Sequence, residues 1–123
     1  MTRERVTAEQ PIRNWNDVFT AVSAEPRRQL VVSLSEQPAD DPVSLPESAT
    51  NPAICSDSDT LRRELYHRHL PLLADMAFVE WDTEPLVATR GPRFEEIAVV
   101  VDSLHANAGE LPESLLEGCH WIR

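Results

Sequence analysis

Arg62, Arg63, Tyr66 and His67 are the side chains whose types and spacing suit a chemistry of recognition. An arginine fork makes paired hydrogen bonds to a guanine edge or to phosphate oxygens. The four residues lie in the run Asp59-Thr-Leu-Arg-Arg-Glu-Leu-Tyr-His-Arg-His-Leu-Pro-Leu-Leu-Ala-Asp-Met76. Within it Leu61, Leu65, Leu72 and Met76 recur at helical spacing and mark an inward stripe. Arg62, Arg63, Tyr66 and His67 fall on the other side, so a helix over 59–76 turns them outward. Arg27 and Arg28 form a second basic pair assigned to the same surface. The plain alternative is a solvated helix face whose arginines pair with nearby carboxylates.

Other chemistries find less support. The chain has no glycine-rich phosphate loop, no nucleophile motif and no recognisable frame of paired carboxylates, so no enzymatic activity and no cofactor is expected. His67 and His69 are two apart and point to different sides of a helix, so they do not chelate one metal from one turn. His105, Cys119 and His120 would have to join them through the fold. Cys55 and Cys119 stand alone, with no CxxC pair and no disulfide framework. No metal site is expected. His69 is read as a hydrogen-bonded residue at the core edge, near the carbonyl that Pro71 leaves without a donor.

The elements that position these residues follow from pattern and punctuation. Residues 1–13 are polar, end near Pro11 and read as a flexible tail. Asn14 suits the cap of a helix carrying Trp15, Val18, Phe19 and Val22. Glu25-Pro26 restarts a helix that points Leu30, Val31 and Leu34 inward. Val43 reads as a short edge strand. Ser44-Leu45-Pro46 opens a helical turn, which the proline keeps short. Asp57 to Asp59 cap the long helix and suit its positive end. Pro71 removes one hydrogen bond inside that helix and predicts a kink. The pattern then switches to a hairpin pairing 78–81 with 86–89 across Thr83-Glu-Pro85. A last helix over 93–105 sets Phe94, Ile97, Val101 and Leu104 on one seam, which is expected to pair with a second copy of the chain. One more short helix is expected before Gly118. These readings divide the chain into a tail over 1–13, a domain over 14–105 and a C-terminal tail over 106–123.

Charge adds a second kind of information. All 11 basic residues are arginine, against 21 acidic residues, for a net charge of -10. An acidic, lysine-free surface suits a cytoplasm of molar salt, where the Debye length is about 3 Å and self-repulsion is screened. In such salt the acidity does not bar a nucleic-acid partner. The longest apolar run, Ile97 to Val101, is too short to span a bilayer, and the first residues lack the apolar core of a signal peptide. A cytoplasmic protein without a membrane partner is expected.

Two segments carry a resemblance. Val18-Phe19-x-x-Val22-Ser-x-Glu25-Pro26-Arg27-Arg28 resembles the opening of ArsR-like regulators and of a winged-helix domain family of unknown function abundant in halophilic archaea. Leu65-Tyr-His67-Arg-His69-Leu70-Pro71-x-Leu73, followed by Phe78-Val-Glu-Trp-Asp82, is similar to the second of these. The resemblance covers about 14–89. It implies an α+β, mostly helical fold: a winged helix-turn-helix with a small β-hairpin wing and an extra C-terminal helix. It further implies a homodimeric transcriptional regulator that binds double-stranded DNA with the 59–76 helix in the major groove. The alternative is a winged helix that binds only proteins. Two departures stand out. The helix-to-strand corner, commonly glycine in such domains, is Ala77, and the wing tip Asp82-Thr-Glu84-Pro85 is acidic where a phosphate-gripping wing would carry arginine. Arg90 and Arg93 follow the hairpin and read most plainly as caps of strand and helix ends.

Overall fold

A computed structural model describes residues 2–54, 57–119 and 121–122, with side chains from residue 8 onward. Two helices, α1 (Thr2–Ala21) and α2 (Glu25–Ser35), come first. Strand β1 (Val43–Ser44) and a 3-10 turn (Glu47–Ala49) follow. The long helix runs as α3 (Ser58–Glu64), a π-helical segment (Leu65–His69) and α4 (Leu70–Asp75). Strands β2 (Val79–Thr83) and β3 (Leu86–Arg90) lead into α5 (Phe94–Ala106). Two further 3-10 turns (Ala108–Glu110 and Glu113–Leu115) lie in the segment beyond it. The sheet is antiparallel in the order β1-β3-β2, with Val43 and Trp81 both opposite Ala88. The fold is therefore α+β and mostly helical, and its element order is consistent with winged-helix topology.

The core forms where α2, the long helix, the inner face of the sheet and α5 meet. Leu30 and Leu34, Leu65 and Leu73, Phe78 and Ala88, and Ile97 have no exposed surface. Arg90 ties the sheet to α2. Its guanidinium donates to the carbonyls of Leu34 (3.0 Å), Ser35 (3.4 Å) and Gln37 (2.7 Å), satisfying the orphan acceptors at the helix end.

The corner between α4 and β2 is closed by backbone hydrogen bonds. Ala77 donates to Ala74 O at 2.9 Å and Phe78 to Leu73 O at 3.0 Å, the paired pattern of a Schellman cap. That cap needs a left-handed residue, and Ala77 supplies it at φ 61. Gly91 lies against the same corner. A β-carbon there would stand 2.5 Å from Ala77 O, so only glycine fits.

The structure departs from the sequence reading in four places. The first helix begins at Thr2, not after Asn14, and contains Pro11. Glu, Gln and Arg are polar, yet like Ala they are strong helix formers. Arg13 links to Gln10 at 3.0 Å and to Glu9 at 4.0 Å along one face, so polarity there marks an exposed helix and not a loop.

The disruption expected at Pro71 takes the form of a π insertion. Leu70 N donates to Leu65 O, one residue further back than in an α-helix. The proline ring would clash with the carbonyl of residue 67, and the wider turn just before it gives that carbonyl room. The extra residue shifts the inward register. Leu70 and Leu73 become fully buried, while Leu72 is only partly covered.

The α5 seam does not face outward. Phe94, Ile97 and Val101 are 3%, 0% and 2% exposed within the single chain, and Leu104 is 37% exposed. Phe94, Ile97 and Val101 complete the chain's own core and are not available as a dimer interface, so the assignment of these three is corrected, while Leu104 stays exposed. Lastly, the segment beyond α5 returns to the body and buries Leu116 and Ile122.

Candidate nucleic-acid interface

Asp57 starts the helix that bears the candidate face. Its carboxylate accepts from Asp59 N at 3.2 Å and from Thr60 Oγ1 at 2.8 Å. The Thr60 bond, and then the Asp59 N–H, hold the carboxyl below its usual range. With the N-terminus fixed and Leu61 and Leu65 turned inward, Arg62, Arg63, Tyr66 and His67 stand exposed together and line one shallow depression with Asp59. Tyr66 is 44% exposed. Its ring is held edge-on to Trp81 of β2 at 5.6 Å and to His67 at 4.9 Å, so the sheet buttresses the outward face.

Arg62 and Arg63 make no hydrogen bond or ion pair with any described residue. Their donors stay available. Arg68, one residue beyond His67, is exposed as well. Over 57–69 Arg62, Arg63 and Arg68 are balanced by Asp57, Asp59 and Glu64, so this stretch is close to neutral on a strongly acidic chain.

Arg27 and Arg28 are not part of this face. Arg27 is 4% exposed, with its guanidinium inside the corner between α1 and α2. It donates to Ala21 O (2.8 Å), Thr20 O (3.1 Å), Ser23 Oγ (3.0 Å) and His69 Nδ1 (2.7 Å). These acceptors cluster at the negative end of α1, which favours a cation. Burial, then Arg68 and Arg28, lower its pKa. Arg28 donates to Val22 O at 2.7 Å and stacks on Trp121 at 5.4 Å. Both assignments to DNA contact are corrected: the first guanidinium is enclosed and the second is turned toward the C-terminal segment.

His69 is buried, as expected of a core-edge residue, and its partner is Arg27. Because Arg27 is the donor, Nδ1 must accept, which assigns the ring proton to Nε2. Burial, then Arg27 and Arg68, push the His69 pKa down to about 4. The pair pins the α1–α2 corner to the π segment directly behind the candidate face.

The wing offers less. Asp82 and Glu84 are exposed at its tip, which carries no basic residue. Arg90 is committed to the end of α2. Arg93 pairs with Asp17 (3.1 Å) and Glu96 (2.9 Å) and also donates to Asn14 and to Met76 O.

Among the described residues no three His, Cys, Asp or Glu side chains are grouped to hold a metal, and no helix is long and apolar enough to cross a membrane. Cys55 and His120 lie outside the described residues. Comparison with protein families, curated proteins and solved structures finds no match to this chain.

Proposed function

We propose that the protein is a DNA-binding transcriptional regulator of winged helix-turn-helix architecture, which sets the first part of its long helix in the major groove. One observation carries the reading. Arg27, Arg90 and Arg93 have their donors taken up by carbonyls, carboxylates and a histidine, whereas Arg62 and Arg63 are exposed, adjacent and without a side-chain hydrogen bond or close ion pair among the described residues, beside Tyr66 and His67. Exposed arginine forks on the outward face of a buttressed helix are what base edges and phosphates require. The 3-10 turn over 47–49 takes the place of a full positioning helix. The acidity of the rest of the chain belongs to a salt-rich cytoplasm, where contact geometry outweighs long-range repulsion.

The acidic wing tip favours a second reading, a protein-binding module whose arginine face meets an acidic partner. Selection from a random duplex pool and from genomic fragments, in molar KCl, separates the two. The parent chain should enrich a defined sequence, and the double change Arg62→Ala with Arg63→Ala should abolish enrichment without altering the melt. Absence of any enriched sequence from the parent refutes the DNA reading. A folded double mutant that keeps DNA but loses a co-purifying protein supports the second.

A pair of half-sites needs two copies of the chain. The surface available for this is Ile12, Trp15 and Phe19 on α1, joined by Val99 of α5, all at least half exposed. Trp15 and Phe19 stack at 5.4 Å and form a continuous apolar patch. With aromatic side chains of roughly 150–250 Å² each, the patch reaches the few hundred Å² that marks an association surface. Ile12 and Phe19 lie almost symmetrically about Trp15. Antiparallel pairing of two copies therefore sets Ile12 of one against Phe19 of the other and closes the patch on itself. Light scattering in molar KCl should give twice the chain mass; a monomer at high concentration refutes the pairing.

A further inference from the structure

Asp59 is the acidic side chain that lines the depression holding Arg62, Arg63, Tyr66 and His67. Its acidic neighbours are placed otherwise. Asp57 accepts from Asp59 N and Thr60 Oγ1, and Glu64 lines a different depression with Glu25 and Thr60. The Asp59 carboxylate is exposed and makes no hydrogen bond or close ion pair among the described residues. Arg62 and Arg63 follow it at the i+3 and i+4 spacings where opposite charges meet along a helix, yet neither pairs with it. Carboxylate and forks therefore stand side by side, each open to an outside partner.

On a face that meets DNA, a carboxylate narrows what can lie opposite it. Phosphates repel it. In the major groove guanine shows the acceptors N7 and O6, thymine shows O4, and adenine sets its N7 acceptor beside its amino group. Cytosine alone presents an amino donor with no acceptor next to it on the same edge. The forks ask for the opposite, since arginine pairs with O6 and N7 of guanine. At about 1.5 Å per residue, the carboxylate and the forks are separated by about 5 Å along the helix. That is roughly one to two base steps of about 3.4 Å.

We propose that Asp59 determines specificity in the DNA site: its carboxylate accepts from the N4 amino group of a cytosine lying one or two base steps from the guanine that Arg62 or Arg63 reads. The inference rests on the proposed DNA-binding function and deepens it. Asp59 then weakens attraction to duplex in general and excludes every base but one at its own position. A face close to neutral suits this division of labour, with forks that make contact and a carboxylate that rejects the wrong contact.

Selection from a random duplex pool, with the full chain in molar KCl, tests it. The parent's enriched sequence should hold a position restricted to cytosine within two steps of a guanine. Asp59→Ala should lift that restriction, so that a base change costing the parent about tenfold in affinity becomes nearly neutral. Asp59→Asn is close in shape and supplies an acceptor and a donor together, the pair that matches N6 and N7 of adenine. The same position should therefore switch from cytosine to adenine, while the guanine stays in both variants. A carboxylate that only favours the positive end of the helix would lower the melt of both variants and leave the motif untouched. That result overturns the inference with the DNA reading intact, and so does a parent motif with no cytosine-restricted position. No enriched sequence from the parent removes the DNA reading itself, and the inference with it.

Discussion

Replacing Arg27 by methionine separates an arginine that builds the fold from one that reads a ligand. Methionine keeps the aliphatic stem and deletes the fork. Four acceptors then lose their donor: Ala21 O at 2.8 Å, Thr20 O at 3.1 Å, Ser23 Oγ at 3.0 Å and His69 Nδ1 at 2.7 Å. Thr20 and Ser23 are exposed and regain water, so their loss is small. Ala21 O and His69 lie in residues with almost no exposed surface, and each stranded acceptor costs about 1–3 kcal/mol. Removing a buried cation that has no carboxylate partner recovers part of its desolvation and offsets some of this. The net expectation is a loss of about 2–4 kcal/mol, or a melting temperature lower by roughly 8–16 °C for a chain of this size. Thermal melts followed by circular dichroism in one KCl buffer measure it. The paired control is Arg62→Ala with Arg63→Ala, which should stay within about 0.5 kcal/mol of the parent because both side chains are exposed and make no described hydrogen bond or close ion pair. An Arg27→Met melt within about 2 °C of the parent would refute the clamp. A double mutant that falls as far as Arg27→Met would show that the outward arginines stabilise the fold and are not spare.

Two further outcomes follow from named backbone and side-chain positions. Ala77→Gly relieves a left-handed alanine at φ 61, so it should stabilise by about 1 kcal/mol and raise the melt by a few degrees; a lower melt would contradict the Schellman cap. His69 should make stability fall with acid. Its pKa is 6.5 when free and about 4 when folded, so above 6.5 both states are neutral and the contribution is complete. As pH drops below 6.5 only the unfolded chain takes the proton, and stability falls by up to about 1.4 kcal/mol per unit until pH 4. Urea unfolding at pH 7 and pH 5 should show this slope in the parent. It should be flattened in His69→Gln, whose amide oxygen can still accept from Arg27; identical slopes would sink the assignment.

The parts of this fold that were legible in the sequence are those set by local chemistry. The cap at Asp57, the edge strand at Val43, the hairpin and the start of α2 at Pro26 each follow from residues within one turn of one another. The left-handed corner at 77 was visible as a position where glycine was expected. What stayed hidden depends on contacts between distant segments. Arg27 and Arg28 look alike in sequence, and only the end of α1 and the imidazole of His69, 42 positions away, decide that one is enclosed. The seam of α5 was read correctly as apolar, but periodicity does not say whether a stripe meets its own core or another chain. Residues 2–13 are polar in composition yet high in helix propensity, and polarity alone does not separate an exposed helix from a loop.

The π segment limits how the helix can be used. Arg62 and Arg63 before it and Tyr66, His67 and Arg68 within it stand outward; after it, Leu70 and Leu73 are drawn fully inside. The outward stretch that bears the candidate face is therefore Ser58 to Arg68 and not the whole helix to Asp75. At about 1.5 Å per residue that stretch is roughly 15 Å long, comparable to the width of a major groove of about 12 Å. At about 3.4 Å per base step it faces roughly four base pairs. With an acidic wing tip adding no basic grip, four base pairs are too few to single out a site among the many sequences of a genome. The proposed function thus requires a second copy. Under the proposed function the apolar patch on α1 and the short outward face of the long helix belong to one argument: the first would supply the pairing that the second needs in order to be specific.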